Sequence, residues 1–138
     1  MVAYNFQSQF VEPIRDGTKV QTIRQIGKRR HARPGDSLQL YTGMRTSRCH
    51  KIISDPECIA AVPIEIRIGR LDLIDRITIG RSVLSVHADL EAFARNDGFA
   101  SLQAMSDYWR ASYGEPIFTG LLIAWQPTEP KPKRRRRT

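Results

Sequence analysis

Gly17-Thr18-Lys19-Val20-Gln21-Thr22-Ile23-Arg24 is the stretch whose reading decides the fold. Glycine adopts positive φ without a Cβ penalty, so Gly17 suits the end of the turn before it. β-Branched and polar residues then alternate over Val20–Arg24, as a half-buried strand requires. Val20, Thr22 and Arg24 fall on one face of that strand, Gln21 and Ile23 on the other. Lys19 lies at the turn, beside the face carrying Thr22 and Arg24. An amine, a hydroxyl and a guanidinium converging on one concavity suit a phosphate, a base edge or a carbonyl. A plainer account fits too: Thr22 serves β propensity and Lys19 is a solvated turn residue. As an exposed turn residue, Lys19 is expected to add no more than about 0.5 kcal/mol to stability.

Upstream, Met1–Phe6 reads as a first strand. Phe10, Val11 and Ile14 have helical spacing in a short helix or turn that Pro13 limits. Downstream, residues 25–36 form a basic loop closed by the Pro34-Gly35-Asp36 turn. Ser37–Thr42 alternates again, and 43–56 is a long polar loop. In 61–69, AVPIEIRIG, Val62, Ile64, Ile66 and Ile68 share one face. A partner strand over 71–79 is interrupted by Asp75, which a β-bulge would accommodate. The period then changes to helical. One helix is predicted over 89–96, ending at Asn96-Asp97-Gly98. A second is N-capped by Ser101, carries Leu102, Met105, Tyr108 and Trp109 on one face, and stops at Gly114 and Pro116. Ile117–Trp125 is a last strand, predicted to be buried on both faces except at Gly120. The sum is α+β: a small mixed β-barrel of about five to six strands, closed or nearly so, with helices packed at its ends.

The chain has 138 residues, enough for one domain over 1–126. Residues 127–138 form a basic Pro/Arg-rich tail, expected to be flexible. No apolar run approaches the roughly 20 residues of a membrane span. The first ten residues lack the pattern of a signal peptide, so the cytoplasm is the expected compartment. Cys49 and Cys58 are too few for a disulfide framework and read as reduced thiols. With His31 and His50 they show no paired metal spacing, so neither metal nor cofactor is expected.

Charge is polarised along the sequence. Residues 1–52 hold ten basic and three acidic residues; residues 53–130 hold six and eleven. The tail adds six more basic residues. Lys19, Arg24, Lys28, Arg29, Arg30, Arg33, Arg45, Arg48 and Lys51 thus form a basic cluster inside folded sequence. A polyanion is its natural partner. A solvated basic face is the alternative. Tyr41, between the two basic loops, can stack on a base or fill the core rim.

The run GTKVQTIR (17–24), the basic loop, and Pro34-Gly35-Asp36 followed by Leu38 and Leu40 resemble the ASCH domain (activating signal cointegrator homology), a PUA-like fold. Ala94-Arg95-Asn96-Asp97-Gly98-Phe99 before a helix, and a last apolar strand containing Gly120, match its order. The resemblance spans most of residues 4–125. It implies a barrel with an adjacent cleft for RNA or nucleotide ligands. Some small bacterial members are amidohydrolases that deacetylate N4-acetylcytidine with a lysine, a threonine and a glutamate. The lysine and threonine carry over onto Lys19 and Thr22, and the arginine that follows onto Arg24. The acid nearest by position is Asp97, with Glu91 and Asp89 as alternatives. Asp97 is one methylene shorter than the family's glutamate. The resemblance therefore implies an RNA- or nucleotide-binding module. Lys19, Arg24, the loop cations and Tyr41 are its expected contacts, and a monomer is assumed. It alternatively implies an amidohydrolase with Thr22 as nucleophile, Lys19 as base and Asp97 as orienting acid, or a ribonuclease using the same cleft.

Overall fold

The computed structural model describes residues 2–128. From residue 129 on, the predicted tail lies outside them. In chain order the elements are β1 (Val2–Phe6), a 3-10 turn (Ser8–Phe10) running into α1 (Val11–Arg15), β2 (Gln21–Arg24), β3 (Leu38–Thr42), β4 (His50–Lys51), β5 (Cys58–Ile68), β6 (Ile74–Ile79), β7 (Ser82–Leu84), α2 (His87–Asn96), α3 (Leu102–Tyr113) and β8 (Ile117–Trp125). No helix among the described residues is long and apolar enough to cross a membrane.

The strands form two sheets. One is β1-β3-β4, with β1 and β3 parallel. The other is β2-β8-β5-β6-β7, antiparallel throughout. The fold is α+β, as the change of period predicts, but the strands do not close into one barrel. The sheets join along a single seam, where Ser37 bridges Glu57 and Leu38 N donates to Pro56 O at 2.8 Å. On the opposite side no ladder joins β1 to β2 among the described residues. There the Arg24 side chain reaches across instead, Nη2 donating to Asn5 O at 2.8 Å. Trp125 packs edge-on against Phe6 and so ties β8 to β1.

Two apolar cores result. One fills the space between the three-stranded sheet and the Trp125 end of β8, around Tyr4, Leu38, Leu40 and Ile52. The other lies between the five-stranded sheet and the helices, around Ile66, Ile77, Phe93 and Met105. Phe99 and Tyr108 pack against both.

Local chemistry explains the element ends. Ser101 Oγ accepts from Ala104 N at 3.0 Å, and Gly114 takes the left-handed conformation that ends α3. Pro13 sits in the first turn of α1, where a missing N–H breaks no helical bond. The interruption at Asp75 is a register shift: Arg67 pairs with Arg76 and Ile68 with Ile74, leaving Asp75 the extra residue. Its carboxylate takes both Arg67 Nε (2.9 Å) and Nη2 (3.3 Å). The predicted strand over 71–79 begins only at Ile74, because Arg70–Asp72 makes a tight turn with Leu71 at φ 62°. Gly120 is buried, contrary to expectation. A Cβ there would lie 2.5 Å from Arg24 O and 2.8 Å from the Phe118 ring. The exposed positions of β8 are Ile117 and Thr119 instead, since the short β2 covers only Leu121–Ala124.

Candidate functional site: a cleft between the two sheets

The unpaired gap between β1 and β2 opens as a cavity of about 390 Å³. β1 and the turn after it supply Asn5, Phe6, Gln7 and Phe10; β2 and its approach supply Lys19, Thr22, Ile23, Arg24 and Gln25. Asp97 enters from the end of α2. Phe99, Tyr108, Trp109 and Tyr113 form an aromatic wall.

Lys19 is not a solvated turn residue; it is 3% exposed. Its backbone N donates to Pro13 O at 2.9 Å, and Val20 N donates to Asn96 O at 3.2 Å, so the start of β2 is fixed to the end of α2. The side chain runs over Gly98, whose missing Cβ would lie 2.7 Å from Lys19 Cδ. Nζ then donates to Asp97 O at 2.5 Å and lies 3.5 Å from Asp97 Oδ1, with the Phe10 ring centroid 4.9 Å away. A cation at the last carbonyls of a helix is favoured by the helix dipole. Burial nevertheless pushes the Lys19 amine below the ordinary lysine range, opposed by Asp97. Burial likewise pushes the Asp97 carboxyl above its ordinary range, against the pull of Lys19. Each partner resists charge in this dry setting.

Thr22 is buried and lines the same cavity, and among the described residues no hydrogen bond joins its hydroxyl to Lys19 or Asp97. The Arg24 guanidinium stacks 5.1 Å from the Tyr4 ring centroid and 4.9 Å from that of Phe6. The acids considered beside Asp97 are elsewhere. Glu91 Oε2 accepts from Leu102 N at 3.2 Å, and Asp89 is exposed on α2; neither lines the cleft.

The loop cations stand outside the cavity. Lys28, Arg29, Arg30, Arg33, Arg45 and Arg48 are exposed. Arg30 pairs with Asp36 at 3.0 Å, and Lys51 with Asp55 at 2.9 Å. Tyr41 does not reach the cleft; it pairs with Lys51 across β3 and β4, and the Lys51 Nζ lies 5.9 Å from its ring. Both basic loops are nevertheless tied to β1. Arg29 Nη2 donates to Ala3 O. His31 accepts from Tyr4 O–H at Nδ1 (3.0 Å) and donates through Nε2 to Gln25 O (3.0 Å). Met44 N donates to Asn5 Oδ1 at 3.0 Å. β1 is thus a rail with the cleft at its end and the cationic loops along it.

Sequence reasoning missed the aromatic wall and the contribution of Asn5 to Phe10. Trp109 reads from its spacing as core, and it is core; that it also lines a cavity has no periodic signature. Cys49 is exposed and Cys58 buried, both free. Among the described residues no three His, Cys, Asp or Glu side chains gather as a metal site would need. Compared with known proteins, the chain matches no family model and no curated protein.

Proposed function

We propose that this chain is an RNA- or nucleotide-binding domain of the PUA-like ASCH type, its two sheets being such a barrel opened at the β1–β2 gap. The cleft takes a base-sized group, and the loops 25–36 and 43–51 meet phosphates. One observation carries this reading: both cationic loops are hydrogen-bonded to the strand whose end forms the cleft wall. A ligand seated in the cavity would bring its phosphates within the field of those loops. The test is binding of labelled single-stranded RNA and of nucleosides at increasing salt, by the full chain and by a chain lacking 130–138. Affinity for RNA should fall with a log–log slope near −0.7 per neutralised phosphate. The shortened chain should retain appreciable binding. No binding of any nucleic acid at low salt by that chain would end the reading.

Amide hydrolysis of an acetylated nucleoside is the second reading. It is favoured by the Lys19 Nζ to Asp97 Oδ1 approach of 3.5 Å, with Thr22 lining the same cavity. Thr22 Oγ would add to the acetyl carbonyl carbon as its proton passes to the Lys19 amine. The C–N bond would then break, the proton going to the departing exocyclic nitrogen. Water would hydrolyse the acetyl ester, releasing acetate and restoring the hydroxyl. A lysine whose amine burial pushes below its ordinary range is a better base than a solvated one, and Asp97 holds it in place. Incubation with N4-acetylcytidine and an RNA panel, with product analysis, separates the possibilities. Cytidine and acetate lost on Thr22→Ala, with ligand affinity kept, mean hydrolysis. Shortened RNA means a nuclease. Binding without product leaves the first reading alone.

A further inference from the structure

β1 and β3 alternate strictly: Val2, Tyr4 and Phe6, with Leu38 and Leu40, are buried in the first core. Ala3, Asn5, Gln39 and Tyr41 between them therefore face the other way. The register sets Asn5 beside Tyr41 and Tyr41 beside Lys51, one row across all three strands on the outer face of that sheet. Lys51 Nζ lies 5.9 Å from the Tyr41 ring centroid, which puts both side chains on that face. Both apolar cores lie elsewhere; Asn5 is exposed, and Tyr41 and Lys51 are partly so. The row starts at the cleft, since Asn5 lines it. Charge borders it. Arg45 and Arg48 are exposed on the loop between β3 and β4. That loop is fixed in place: Arg45 is held left-handed at φ 66°, Thr46 Oγ1 donates to Gly43 O at 2.6 Å, and Met44 N donates to Asn5 Oδ1 at 3.0 Å. Just past Lys51, Ser54 O accepts from Thr128 Oγ1 at 2.5 Å, where the described chain ends. Positions 131–137 then hold six Lys and Arg.

We infer that the outer face of the three-stranded sheet is a second nucleotide subsite, where Tyr41 stacks on an unpaired base while Arg45 and Arg48 meet the phosphates beside it. The ligand is then a single-stranded RNA of several nucleotides, running from the cleft over Asn5 toward Lys51. Two strand spacings, roughly 10 Å, carry the row from Asn5 to Lys51, beyond the reach of a nucleoside seated in the cleft. An aromatic ring among cations suits a base whose face is free, and a duplex hides its base faces in the stack. This rests on the nucleotide-binding reading above and extends it from one nucleotide to a strand.

The experiment titrates the full chain with uridine 5′-monophosphate, with oligouridylates of four and eight nucleotides, and with a hairpin RNA whose stem is fully paired. The Tyr41 ring signals, followed by NMR, should shift with the oligouridylates and stay in place with the monophosphate. Tyr41→Ala should weaken octanucleotide binding about tenfold, the loss of one stacked base, and leave monophosphate binding unchanged. Tyr41→Phe, which keeps the ring, should bind the octanucleotide like the parent. The ring signals of the parent decide the matter even if Tyr41→Ala fails to fold. Ring signals that no oligouridylate moves mean a solvated sheet face and overturn the inference, while the nucleotide-binding reading stands. A paired stem that moves them as the single strand does also overturns it. So does Tyr41→Ala weakening monophosphate and octanucleotide by the same factor, since the ring then acts through the cleft. Failure of the monophosphate and of every RNA to bind at low salt ends both.

Discussion

Lys51 and Asp55 meet at 2.9 Å with about a quarter of each side chain in solvent; Lys19 and Asp97 meet at 3.5 Å with 3% and 4% exposed. The same two residue types respond in opposite ways. Hydrogen bonding to Asp55 raises the Lys51 amine above its ordinary range, whereas burial lowers that of Lys19. What separates them is solvation. Near water the ion pair is a small gain over two hydrated ions. In the cleft the cost of stripping water exceeds the attraction, so the pair is held by the fold rather than holding it.

The largest expected effect tests this contrast directly. Lys19→Ala leaves the Asp97 carboxyl buried without its partner and should destabilise the chain by about 3–5 kcal/mol. That replaces the small effect a solvated turn lysine would give. Lys19→Met combined with Asp97→Asn removes both charges and should recover most of the loss. Denaturant unfolding of the three proteins measures it. A double variant no more stable than Lys19→Ala would mean the pair itself stabilises the fold.

The contrast also marks what the sequence could convey. Strand parity, the Ser101 cap, the Gly114 stop and the Asp75 bulge follow from patterns within a few residues, and they were legible. So were Lys19, Thr22 and Arg24 as neighbours. The burial of Lys19 was not, because it depends on Gly98 and Phe10, which are distant in sequence and brought close only by packing. Tyr41 reads as a cleft contact from its place between the basic loops, yet β3 lies on the far side of β1 from the β1–β2 gap. The missing barrel closure has a similar cause: strand pattern does not reveal which edges pair.

A smaller effect sharpens how tightly the buried pair is enclosed. Gly17 and Gly98 both have positive φ, 83° and 95°. A left-handed conformation costs an alanine about 1–2 kcal/mol. Nothing lies within 4 Å of a Cβ at Gly17, whereas at Gly98 it meets Lys19 Cδ, Cγ and Cβ. Gly98→Ala should therefore cost about 1–3 kcal/mol more than Gly17→Ala, the usual range for overpacking. It should also disturb ligand binding, which Gly17→Ala should spare. Equal melting temperatures for the two variants would show that the Lys19 stem moves aside freely.

The smallest effect lies with Lys51. Lys51→Ala should cost under about 1 kcal/mol, as for other partly solvated pairs. Its value lies in the sign of its pH dependence. The amine of Lys51 titrates above 10.5 in the folded chain and at about 10.5 unfolded, so its contribution is present below that pH and is lost as pH rises through the folded value. Lys19 titrates below 10.5 when folded, so carrying its charge is a destabilising penalty at lower pH that is relieved as pH rises toward 10.5. Stability measured from about pH 9 upward should show the gap between the parent and Lys51→Ala closing. Over the approach to 10.5, the stability of the parent relative to Lys19→Met should rise. The two curves must move in opposite directions if solvation is what distinguishes the pairs. Parallel curves would mean that Lys19 is charged and hydrated like Lys51, and the account of a dry, strained cleft would fail with them.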